Sequence, residues 1–151
     1  MTKEERVKRK EERYQERTRE QQGYFRKVFD LMRGRATRAA ERMIERDRNR
    51  VRQRLGLTHH SFQDAQDLTP WCFRSRMSTA ICDRLDYWEL SDVERWLEMY
   101  GLGAVEAAEI IFEVERKIAR KARAQGAIVA FPDPKKHRAK IRKLEAEEIG
   151  P

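Results

Sequence analysis

A length of 151 residues is enough for one modest domain, but 40% of the residues are charged and only 39% hydrophobic, so much of the chain cannot be buried. No apolar run approaches the ~20 residues of a membrane span, and Cys72 and Cys82, with no CxxC spacing, exclude a disulfide framework and a zinc signature. The net charge of +8 favours a polyanion as partner.

That charge is sorted along the chain. Residues 1–55 hold 19 Lys/Arg against 10 Asp/Glu, residues 56–115 hold 4 against 12, and residues 116–151 hold 11 against 4. Two basic segments therefore flank an acidic middle. Residues 1–23 have almost no apolar side chains and read as a polar arm that orders poorly alone, because burial cannot offset its ordering entropy. The N-terminus lacks the apolar stretch of a secretory signal and is too acidic for a transit peptide, so the expected compartment is cytoplasmic.

Residues 24–55 change character. Phe25, Val28, Phe29, Met32, Ala36, Ala39, Ala40, Met43, Ile44, Val51 and Leu55 recur at three- and four-residue steps and predict one stripe of a long helix, with Gly56 as its stop. Arg33, Arg35, Arg38, Arg42, Arg46, Arg48, Arg50, Arg52 and Arg54 lie mostly off that stripe. Arginine outnumbers lysine 24 to 10, and guanidinium forks grip phosphate bidentately and stack on bases. These residues are the first candidates for phosphate contact. The competing reading is a solvated helix, or one paired with the acidic middle.

Residues 56–70 read as a loop, with Thr69 as N-cap and Pro70 as the first residue of a second helix over 70–86. Ser91 and Glu94 have the S-x-x-E spacing of a capping box before a short third helix, 92–100. Gly101-Leu102-Gly103 ends it, and a fourth helix follows over 104–125. The last two helices have the outline of a helix-turn-helix, but Glu106, Glu109, Glu113 and Glu115 would repel DNA phosphates, so the pair reads as a packing unit. From residue 126 the chain reads as an extended basic tail, because Pro132 and Pro134 bar a helix locally, with a short polar helix open to 135–148. Its Lys135, Lys136, Arg138 and Lys140 are the second set of phosphate candidates.

The stretch WELSDVERWLEMYGL, Trp88 to Leu102, resembles the opening of a sterile alpha motif domain at Asp92, Val93, Trp96, Leu97, Gly101 and Leu102. That resemblance implies a protein-interaction module. It covers 15 of 151 residues, and a Glu-rich helix stands where the family has leucine-rich ones, so no binding residue is carried over.

Trp71, Phe73, Tyr87, Trp88, Trp96, Tyr100 and Phe112 crowd the acidic block. They predict a small helical core. Whichever of Trp71, Trp88 and Trp96 stays outside it would bind a partner. His59 and His60 are adjacent, a spacing that seldom ligates one ion, and the cysteines sit among core residues. No P-loop, GxSxG, GxGxxG or HExxH is present, so no enzyme, metal or cofactor is predicted.

The sequence thus predicts an all-α protein: a polar arm (1–23), a helical domain (24–125) made of a long helix and a bundle of three shorter ones, and a basic tail (126–151). The expected role is sequence-independent DNA or RNA binding by the basic segments, with the acidic middle used for assembly. The alternative is a structural subunit or adaptor of a large complex, such as a phage-like particle or a ribonucleoprotein.

Overall fold

The computed structural model of the chain describes residues 1–55 and 62–149, and the side chains of 1–50 and 67–148. Among the described residues the fold is all-α. The elements are α1 (Lys3–Leu55), α2 (Phe62–Asp83), α3 (Leu90–Leu97), a π-helical turn (Glu98–Leu102), α4 (Gly103–Ala124) and α5 (Pro134–Ile149). Helix α1 packs on α2, α2 on α4, and both α3 and α5 on α4.

The predicted stripe on α1 is buried over most of its described length, but Ala39 is only partly buried, Met43 is 36% exposed, and the side chains of Val51 and Leu55 lie outside the described residues. Phe25, Val28, Phe29, Met32, Ala36 and Ala40 share one core with Phe73, Met77, Ala80 and Ile81 of α2, with Trp96 of α3 and with the flanking Trp88 and Tyr100, and Ile44 is buried as well. Phe25 is the hub. Its ring centroid lies 5.2 Å from Trp88, 5.3 Å from Trp96 and 5.9 Å from Tyr100. Further along, Ala36 and Ala40 are fully buried, and their small side chains let α2 approach closely.

The polar arm is not a separate unit. Residues 3–23 continue α1 without a break, and 1–17 are exposed. The reason is cooperativity: the docked segment from Phe25 onward supplies the helical nucleus, and each further Glu, Arg, Lys or Gln then adds a hydrogen bond at little cost. At ~1.5 Å per residue α1 is about 80 Å long, so its first five turns stand clear of the bundle. Gly23 sits where the arm leaves the core, and a Cβ added there meets nothing within 4 Å. Gly23→Ala therefore stabilises the helix by about 0.5–1 kcal/mol, read as a rise in far-UV helical signal and in Tm. A fall in either shows that the glycine serves a bend.

Three further expectations are corrected. Helix α2 begins at Phe62, eight residues before its predicted start, and holds Pro70 in its interior. Pro70 withholds one N–H from the ladder but does not end the helix, so Thr69 is not its cap. The Ser91/Glu94 capping box does not form. The N-cap of α3 is Glu89, with no side-chain hydrogen bond, while Asp92 binds Arg95 at 2.6 Å and Glu94 binds Lys140 at 3.4 Å. The tail is extended only over 127–133, and the short helix left open to 135–148 forms as α5. Asp133 Oδ1 then accepts from the Lys135 N–H at 2.9 Å, and Pro134 takes the first helical position, a start signal for α5.

The glycine turn between α3 and α4 is required by its backbone. Gly101 and Gly103 have φ of 89° and 79°, a region closed to most side chains. The turn directs α4 back across α2. There Lys117 Nζ donates to Ser75 O, to Ser78 Oγ at 2.6 Å and to Thr79 Oγ1 at 2.8 Å, which satisfies the fully buried Ser78.

Candidate nucleic-acid interface

The nine candidate arginines of α1, Arg33 to Arg54, do not act as one set. At about 100° per residue, Arg35, Arg38, Arg42 and Arg46 fall within an arc of about 80°, one ridge along the rod. All four are exposed, and among the described residues none makes an ion pair or a hydrogen bond. Glu45, on the flank of the ridge, turns to Arg48 at 3.7 Å. Arg33 and Arg48 point about 120° or more from the ridge centre, and Arg33 lies over the Phe29 ring at 4.8 Å. Arg50 is exposed at the ridge's edge. The side chains of Arg52 and Arg54 lie outside the described residues, as do His59 and His60.

The acidic middle is engaged elsewhere. Arg74 Nη2 of α2 donates to both carboxylate oxygens of Glu106 on α4, at 3.1 and 3.2 Å, and its Nη1 approaches Glu109 at 4.0 Å. His137 of α5 stacks on Phe112, centroids 3.9 Å apart, and its Nε2 lies 3.3 Å from Glu109 Oε2, out of line for a hydrogen bond. Glu113 pairs with Arg116. These carboxylates hold α2 and α5 to α4, which leaves the ridge on α1 unneutralised. The tail is only partly available: Lys140 pairs with Glu94, whereas Lys135, Lys136 and Arg138 are exposed.

The tryptophans divide. Trp88 and Trp96 are core residues, 3% and 1% exposed, so neither is a partner surface. Trp71 is 57% exposed. It stands on α2 beside a groove of about 580 Å³ between α1 and α2, whose α1 wall carries Leu31, Met43 and Arg35 and whose α2 wall carries Arg76. Cys72 lies under the groove, where burial raises its thiol pKa against the opposing pull of Arg76. Burial likewise raises Cys82, with Lys117 pulling the other way. Both thiols therefore stay protonated at neutral pH.

The ridge was legible from its 3-4-4 spacing. Trp71 was legible as well: it lies about 200° round the helix from Phe73, while Met77 lies about 40° from it.

Among the described residues no group of His, Cys, Asp or Glu is placed to hold a metal ion, and no helix is long and apolar enough to cross a membrane. Comparison with protein families, curated proteins and solved structures finds no match to this chain. Within the segment Trp88 to Leu102, the side chains of Trp88, Val93, Trp96 and Leu97 are buried in the core.

Proposed function

We propose that this chain is a non-enzymatic nucleic-acid-associated protein that holds phosphates without reading sequence. The observation that carries the reading is the Arg35–Arg38–Arg42–Arg46 ridge: four exposed guanidinium groups on one side of a helix, with no partner among the described residues. Guanidinium forks suit phosphate, and a rod longer than its own bundle presents them in a line. Lys135, Lys136 and Arg138 form a second basic segment at the far end of the chain.

Counterion release gives the test. Four phosphate contacts predict a log K against log salt slope near −3.6, so affinity for duplex DNA or structured RNA falls about 100-fold between ~50 and ~200 mM salt. A flat salt response, or no binding at ~50 mM, removes the proposal.

A second reading, a structural subunit acting through helix–helix contacts, is favoured by the free part of α1. Val7 and Tyr14 are exposed there, on the same face that buries Phe25 further along. A monomer–oligomer equilibrium that moves with dilution, and is lost on removal of residues 1–20, supports that reading.

A further inference from the structure

Resting on the phosphate-binding reading, we infer that the groove between α1 and α2 receives an unpaired base stacked on Trp71, so that the ligand is a single-stranded segment of nucleic acid.

The groove has the two components such a ligand needs. Its apolar part is Trp71 with the half-exposed Leu31 and Met43, three large side chains that the core leaves at the surface. Its charged part is Arg35 on one wall and Arg76 on the other, both exposed and, among the described residues, without an ion pair or hydrogen bond. Asp83 is the acidic residue on its lining, at the end next to Arg84. Arg84 is already held by the Tyr24 hydroxyl at 3.1 Å and the Ala80 carbonyl at 3.4 Å, so it frames the groove and does not reach out of it.

Beyond Arg35 the ridge continues as Arg38, Arg42 and Arg46. A strand whose phosphates follow that ridge brings its bases to the α1–α2 groove beside it. Duplex DNA keeps its bases stacked on one another and offers Trp71 no ring face. A single strand does offer one, and stacking on an exposed aromatic is sequence-tolerant because every base has a π-face. An apolar peptide would fill the floor but would bring no negative charge to the two guanidinium groups on the walls. That charge favours a phosphate-bearing ligand.

The tryptophans supply a selective readout, since Trp71 is exposed and Trp88 and Trp96 are buried. The intact chain is titrated at ~50 mM salt with a 20-nucleotide single strand and with a blunt duplex of the same length, and tryptophan emission is followed. The expected result is that the single strand quenches emission and binds roughly tenfold more tightly than the duplex. Trp71→Ala then abolishes the quench and the preference while changing duplex affinity less than twofold, and Trp71→Phe keeps most of the preference. Equal affinities with no quench overturn the single-strand inference and leave the phosphate reading standing. No binding of either ligand overturns both. A Trp71→Ala variant that loses self-association without altering nucleic-acid binding assigns the groove to a second copy of the chain and overturns the inference as well.

Discussion

Truncating Phe25 to alanine lowers the stability of the chain by about 3–5 kcal/mol, a large part of what a domain of this size has. The side chain is fully buried and its ring meets Trp88, Trp96, Tyr100 and Phe29 at once. Its loss opens a cavity where α1, α3 and the π-helical turn meet, and it removes aromatic pairs worth about 0.5–1.5 kcal/mol each beyond their area. Thermal denaturation reads the change as a fall of about 10 °C in Tm. Trp88 and Trp96, no longer shielded by α1, shift their emission to the red. Phe25→Leu keeps most of the volume and costs about 1–2 kcal/mol. A Phe25→Ala variant as stable as the parent shows that α1 is not docked by this cluster, and the rod-on-bundle architecture fails with it.

The second large effect is on binding. Replacing Arg35, Arg38, Arg42 and Arg46 together by glutamine brings the salt slope from near −3.6 towards zero and weakens binding at ~50 mM salt by at least about 100-fold. The four side chains are exposed and, among the described residues, without partners, so the fold is unaffected within about 0.5 kcal/mol and circular dichroism confirms it. Replacing Lys135, Lys136 and Arg138 instead has the smaller effect, because α5 packs on the acidic α4, whose field opposes a phosphate there. Equal losses from both sets show the ridge is not special. An unchanged slope in the ridge variant shows the contacts lie elsewhere.

Much of this architecture is legible in residue spacing. The period of Phe25 to Ile44 marks the docked face of α1, and the glycines at 101 and 103 mark the reversal into α4. What spacing does not carry is competition between signals. Pro70 reads as a start, yet α2 runs through it. Pro134 reads as a breaker, yet with Asp133 behind it the same residue begins α5. Ser91 and Glu94 have the spacing of a cap, but Glu94 is drawn to Lys140, a partner 46 residues away that no local pattern contains. The polar arm is a helix for a reason outside its own composition: the neighbouring segment is docked. For the candidate site, residue type pointed to phosphate, but only direction round the helix separates four usable arginines from nine.

The connection between α4 and α5 bears on how the molecule keeps to itself in concentrated solution. Ala127 to Phe131 is apolar and extended, Ile128 is fully exposed, and Arg123 covers only one end of the run, through the Val129 carbonyl at 2.7 Å and the Phe131 ring at 4.4 Å. Such a stretch invites strand addition by another copy. Pro132 and Pro134 deny two amide donors to any growing ladder, and the lysines that follow repel a like-charged neighbour. Colloidal stability therefore hangs on two imino acids and on electrostatic repulsion, and high ionic strength, which screens the second, leaves only the first.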